Sequence, residues 1–430
     1  MLFTDITIID ENQAFVPHRY VRVEGEKITH IGGAVEPNPG EEMVCGTDKL
    51  LMAGLYNMHC HVPMTLLRGY AEGLPLDRWL HERVFPFEGQ LTGEDVRRGT
   101  MLGIAEMIRF GVVSFSEMYD HCDQIAEACI ETGIKANISR GVTCFDETPP
   151  NQLRGLIETK SLYETYHNAA DGRIKIDVSI HAEYTSNPHI VTAAADYAKS
   201  VGTRMHIHLS ETEKEHNECI ARRGMTPAGY MNACGVFDVP ALAAHCVWVS
   251  DEDIDLMADK GVTAAHCPVS NLKLGSGFAD IVRMREKGVR VVLGTDGAAS
   301  NNNLNLFEEL KLAAILAKGL RRDPTAVQVP QALEMATAFG AAAQGRENCG
   351  GLQIGCRADL IMLDLTGPHM SPVFDAANNL LFAAQGSDVC MTMVDGRVLY
   401  RDGEYQTIDI ERVRYQAQQS LEGIVGKLSV

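Results

Sequence analysis

The chain has 430 residues, 45% of them apolar and 22% charged, an ordinary soluble-globular balance that argues against disorder, collagen or a coiled coil. Thirty-eight Lys and Arg against 57 Asp and Glu leave a formal net charge of −19. A field of that sign repels phosphate backbones and anionic bilayers, so neither nucleic acid nor a membrane is expected as a partner.

At the start, MLFTDITIIDEN has no basic segment or small-residue cleavage site, and no apolar run approaches the ~18 residues of a membrane span. The twelve Cys are scattered without a C-x-x-C pair, which points to a reducing, cytoplasmic setting without structural disulfides. Residues 1–50 alternate apolar and polar in short runs broken by turns, as in YVRVEGEKITHIGG, the pattern of strands and hairpins. Eight apolar runs follow, at 51–61, 111–118, 133–141, 173–182, 203–210, 241–247, 261–267 and 288–296. Helical periods separate them, for example EDVRRGTMLGIAEMIRF at 94–110 and DEDIDLMADKG at 251–261. Apolar strands alternating with helices predict a parallel sheet, and eight repeats predict a (β/α)8 TIM barrel over residues 51–350. Strand grammar returns at 352–405 with the turn pairs Asp395-Gly396 and Asp402-Gly403, and 406–430 has helical spacing. Residues 1–50 and 352–405 are therefore expected to join in one small β-sandwich domain, because neither has enough strands to bury a face alone. Residues 406–430 are expected to form a C-terminal helix.

Polar residues recur where the eight runs finish: His59 and His61, Glu117, Arg140, His181, His208 with Glu211, His245, His266 and Asp296. A barrel carries all these strand ends on one face, where barrel active sites lie. His59-x-His61 places two imidazoles on the same side of a strand, which suits a borderline-soft divalent metal. His206-x-His208 repeats the spacing, and His208 is favoured because it is nearer the strand end. Three His with Asp296 make one mononuclear site. Run four has only Lys175, near its start, so no bridging Lys for a second metal is evident. The donor set accepts Zn²⁺ as first choice and Fe²⁺ as the alternative.

The stretches NMHCHVPMTLLRG, HIHLSET, HCPVSNLKLGSG and GTDGAASNNNLNLFEEL together resemble the amidohydrolase superfamily. Within it the chain is similar to the S-adenosylhomocysteine/5′-methylthioadenosine deaminases and their chlorohydrolase relatives, over nearly its whole length. The resemblance implies that His59, His61, His208 and Asp296 hold the metal, that Glu211 shuttles protons and that His245 positions the hydrolytic water alongside Asp296. It further implies a sugar-binding Glu88 in RVFPFEGQLT, substrate contacts from Arg140 and His181, and a pocket loop carrying Trp79. Arg154 is matched to an Arg that meets the amino-acid carboxylate of S-adenosylhomocysteine. Two positions depart from the family pattern: Glu183 stands where Pro is usual, and His121 where an aromatic is commoner. The implied reaction is hydrolytic deamination of 5′-methylthioadenosine, S-adenosylhomocysteine or adenosine, releasing ammonia and the inosine analogue. The alternative is deamination or dechlorination of another N-heterocycle of guanine, pterin or triazine type. A non-catalytic barrel is disfavoured because every ligand and the acid are present. Barrel hydrolases of this type commonly self-associate.

Overall fold

The computed structural model describes residues 1–10 and 12–428. Among them the chain forms two nine-stranded sheets. The first is the barrel: β1 (Leu55–Cys60), β2 (Val112–Tyr119), β3 (Lys135–Val142), β4 (Val178–Ile180), β5 (Met205–Leu209), β6 (Ala241–His245), β7 (Thr263–His266) and β8 (Arg290–Leu293). Ile174–Ile176 pairs with β3 just before β4. Successive strands pair in parallel from β1 to β8. β1 and β2 are buried at every position, as expected for strands covered on one face by helices and on the other by the barrel interior.

The barrel closes by a seam of polar contacts beyond the ladder. Asn57 Nδ2 donates to Thr295 Oγ1 at 2.7 Å, Thr295 N donates to Asn57 Oδ1 at 3.0 Å, and Asp296 N donates to His59 O at 2.9 Å. Gly294 lets the last strand lie this close, since a Cβ there would sit 2.8 Å from His59 N. The outer helices follow from local signals. Gly93–Arg109 starts at a capping box of Thr92 and Asp95 and buries Val96, Thr100, Ile104, Met107 and Ile108 at helical spacing. Asp251–Lys260 repeats this device with Ser250 and Asp253 and ends at Gly261.

The second sheet is mixed and built from both chain ends. Its order is Glu404–Tyr405, Arg397–Arg401, Val389–Val394, Leu360–Asp364, Lys49–Ala53, Leu2–Ile9, Phe15–Glu24 and Lys27–Gly32, with Met43–Cys45 beside Leu2–Ile9. The two ends meet where Leu360–Asp364 runs antiparallel to Lys49–Ala53. It is one connected sheet, and it curls back so that Ile28 N donates to Cys356 O at 3.0 Å and Ala358 N to Glu26 O at 2.8 Å. Its own core holds Phe3, Ile6, Val21, Ile28, Leu51, Met362 and Met393. Lys49–Ala53 pairs in this sheet, so the apolar run 51–61 is divided at Gly54 between the two units. The terminal helix is Ile410–Leu428, packed on the barrel through Val413, Ala417, Ser420 and Ile424; residues 429–430 lie outside the described residues. The twelve Cys are all free. No helix among the described residues is long and apolar enough to cross a membrane.

Candidate functional site

The ends of β1, β5, β6 and the segment after β8 bring His59, His61, His208, His245, Glu211 and Asp296 to one mouth. Hydrogen bonds fix the tautomers. His61 Nδ1 faces Met118 O at 2.5 Å and His208 Nδ1 faces His181 O at 2.7 Å. A carbonyl accepts only, so each Nδ1 carries the proton. Both Nε2 atoms then turn inward, 3.3 Å apart.

His59 is fixed through a longer relay. Ser139 Oγ donates to Glu117 O at 2.7 Å, leaving its lone pair for His206 Nδ1 at 3.5 Å. His206 Nε2 is therefore the acceptor for His59 Nδ1 at 2.9 Å. His206 is fully buried behind His59, which explains the repeated His-x-His spacing: one imidazole faces the mouth and the other orients a neighbour. His59 Nε2 is left buried with no hydrogen-bond partner. Burial pushes its pKa down to about 3, so the ring presents a neutral lone pair.

Asp296 completes the set. Its backbone has φ 60°, a left-handed conformation that is strained for a side-chain-bearing residue. Ser270 Oγ and Ser300 Oγ donate to Oδ2 at 2.6 and 2.8 Å, which leaves Oδ1 free. Oδ1 stands 3.5 Å from His59 Nε2 and 3.3 Å from His61 Nε2. Tetrahedral ligands at Zn–N and Zn–O distances of about 2.0–2.1 Å are spaced about 3.3–3.5 Å apart, so these atoms fit one divalent cation. Burial disfavours the Asp296 charge, but His59 and His61 outweigh it and hold the carboxyl well below its usual range. Burial likewise opposes charge on His61, and Asp296 outweighs it, raising that pKa to about 9. His59, His208 and His245 also form a compact trio, so His245 flanks the same point.

Glu211 sits beside this cage. Glu215 receives Ser210 N at 3.0 Å and Glu211 N at 2.7 Å and so fixes the turn after β5. Glu211 Oε2 lies 3.8 Å from His245 Nε2, and His245 Nδ1 is held by Asn271 Oδ1 at 2.8 Å. Burial raises the Glu211 pKa, partly offset by His245.

The mouth opens into a cavity of about 360 Å³, lined by His61, His208, Glu211, His245 and Asp296 at its base and by Trp79, Glu88, Arg140 and His181 on its walls. Trp79 is buried on a short helix, Leu76–Trp79, and Glu88 ends the helical segment that follows. Burial pushes Glu88 up to about 7, against the pull of the Tyr119 hydroxyl and His61. Burial lowers His181 to about 4. Arg140 is tied to Asp120 and, at 2.9 Å, to Glu158.

Other residues singled out in the sequence lie elsewhere. Arg154 is outside the cavity lining: it opens the helix Arg154–Tyr166, its side chain is 79% exposed, and it pairs with Glu158 one turn on. Glu117 is buried behind the turn after β1, accepting Val62 N at 2.8 Å, and burial pushes it up to about 8. His266 is buried edge-on to Phe278 with neither ring nitrogen bonded. His121 starts a helix away from the cavity lining. Glu183 is fully buried between Arg222 and Arg223, which gives that basic pair its place. Ser270, Ser300, Asn271 and Glu215 went unnoticed in the sequence, because single hydroxyls, amides and helix-turn carboxylates carry no spacing signal.

The amidohydrolase family profile matches residues 50–399. A 5-methylthioadenosine/S-adenosylhomocysteine deaminase of Caldanaerobacter subterraneus subsp. tengcongensis is 41% identical over 411 residues, 95% of each chain. A 5′-deoxyadenosine deaminase of Methanosarcina mazei is 40% identical over 426 residues, 99% of this chain and 98% of that one. The crystal structure of a zinc-bound adenosine deaminase from Xanthomonas campestris superposes with a TM-score of 0.92 at 30% identity, covering 99% of this chain and 98% of that one. The strand-end cage and the likeness over the whole barrel agree: this chain belongs to the amidohydrolase family.

Proposed function

We propose that the protein is a metal-dependent hydrolytic deaminase of adenosine-type nucleosides, with 5′-methylthioadenosine, S-adenosylhomocysteine and adenosine as the substrate class. The observation that carries the reading is a single cavity holding the cation cage, the buried Glu211 and, on its wall, a carboxylate suited to a sugar. Relatives named for 5-methylthioadenosine, S-adenosylhomocysteine and 5′-deoxyadenosine support the nucleoside class.

His59, His61, His208 and Asp296 would hold one divalent cation, with Zn²⁺ favoured over Fe²⁺ because the crystal structure it resembles carries zinc. Bound there, the cation supplies a water molecule whose proton leaves near neutral pH. Asp296 would take up that proton, with Ser270 and Ser300 steadying its carboxylate through Oδ2. His245, fixed by Asn271, holds the water against the amino-bearing ring carbon. Glu211 would donate to the adjacent ring nitrogen, take up the proton of the added hydroxyl as the carbonyl forms and pass it to the departing amine, with the proton on Asp296 resetting Glu211, steps favoured by a carboxyl whose pKa burial has raised. Glu88 accepts from both ribose hydroxyls, and Arg140, His181 and Trp79 enclose the remainder.

Ammonia release from 5′-methylthioadenosine, S-adenosylhomocysteine, adenosine and free adenine tests the reading. Turnover of the nucleosides far above adenine is expected. Equal rates on nucleoside and free base would overturn it in favour of a free heterocycle.

A further inference from the structure

Three loops interlock around Glu211. The β5 loop carries Ser210 and Glu211, the β6 loop carries Trp248, and the segment after β7 carries Asn271 and Ser276. Trp248 N donates to Ser210 O at 2.9 Å, and its indole Nε1 donates to Ser276 O at 2.7 Å. Ser276 N donates to Asn271 O at 2.8 Å, the same Asn271 whose side chain fixes His245. Gly277, at φ 121°, lets this loop lie against Trp248, since a Cβ there would meet Val247 at 2.9 Å. The Ser276 side chain is buried, and Oγ donates to Glu211 Oε1 at 3.3 Å.

We propose that Ser276, held in place by the Trp248 indole, is a positioning residue that selects which Glu211 oxygen carries the shuttled proton. This rests on the deaminase reading, in which Glu211 relays protons. A hydroxyl donating to Oε1 occupies that oxygen and steadies the carboxylate plane. The incoming proton then goes to Oε2, the oxygen that faces His245. Without Ser276 both oxygens compete for the proton and the carboxylate can rotate, so fewer encounters begin with the acid hydrogen on the oxygen beside His245. The effect belongs to the chemical step, and Ser276 is not among the residues lining the cavity.

The test measures steady-state ammonia release and bound metal for Ser276→Ala, Ser276→Thr and Trp248→Phe beside the wild type, on 5′-methylthioadenosine, adenosine and guanine. Ser276→Ala is expected to lower kcat about tenfold, the scale of one hydrogen bond to a charged group. KM and metal content should stay unchanged, and Ser276→Thr should restore most of kcat. Trp248→Phe keeps one aromatic ring but loses the indole N–H that Ser276 O accepts, and a smaller fall of about threefold is expected. The loss should appear on whichever base the wild type turns over, because Ser276 acts through Glu211. Wild-type inactivity on 5′-methylthioadenosine alone would therefore remove the nucleoside reading and leave this one to be decided on the base that is consumed. Full kcat in Ser276→Ala, or a loss carried by KM or by metal content, would overturn the proposal.

Discussion

The two ends of the barrel treat buried polar groups in opposite ways. At the floor, Lys135 is buried on β3 and donates to both Asp359 oxygens, at 2.6 and 2.5 Å, and to Asp395 at 2.6 Å. Arg346 donates to Gln344 Oε1 at 2.8 Å and Asn137 Oδ1 at 3.1 Å, and Arg357 also reaches Asp395. The charges there are answered by the protein itself, and they lock the end sheet to the barrel. At the mouth, His59 Nε2 has no partner, two imidazole Nε2 atoms face one another, and Ser210, His245, Cys246 and Asp296 all have positive φ. Satisfied polar groups mark where the fold is held; the unpartnered His59 Nε2 marks where it is held open for something else.

This contrast sets what each end should lose on mutation. The largest effect is expected at Glu211: Glu211→Gln should reduce turnover about 10²–10⁴-fold, because an amide cannot relay a proton. Bound metal and thermal midpoint should stay at wild-type values, and a lowered midpoint or lost metal would blur the distinction. The floor should answer the other way. Lys135→Met leaves Asp359 buried without its cation and Asp395 with Arg357 alone, so denaturant unfolding should show a loss of about 3–5 kcal/mol. The folded fraction should keep wild-type kcat, and a drop in kcat at full folding would show that the floor reaches the mouth. Glu88→Ala should sharpen the substrate side, costing about 10²-fold in kcat/KM on nucleosides and little on any free base, since two hydroxyls lose their acceptor. The smallest effect is expected behind the cage. His206→Ala should weaken metal affinity about 10–100-fold, read by competition with a chelator, as is usual when the group orienting a ligand imidazole is removed.

The sequence was legible where periodicity and position coincide. Eight apolar runs placed the strands, and the polar residues at their ends predicted the mouth. The choice of His208 over His206 followed from distance to the strand end, and the structure turns His208 to the cavity and His206 to His59. Contacts between loops far apart in sequence were not legible. Ser270 and Ser300 matter only because both meet Asp296 Oδ2, and nothing in HCPVSN or GAASNN announces that meeting. Glu183 drew notice only as a family departure, while the structure buries it between Arg222 and Arg223. Arg154 was matched by resemblance alone, and its exposed side chain pairs with Glu158 one turn on. The run 51–61 hid a boundary because Lys49–Ala53 of the end sheet and β1 are both buried without alternation.

The seam between β1 and β8 has a consequence for biosynthesis. Asn57 and Thr295 are 238 positions apart, yet their reciprocal hydrogen bonds lie beside His59 and Asp296, two of the proposed ligands. A nascent chain still on the ribosome exposes three of the four donors long before the carboxylate emerges. The cage becomes complete only when the last barrel strand docks, a long-range closure that is slow by its topology. Metal capture would then wait for closure of the barrel, and a cation bound there would clasp β1 to the segment after β8.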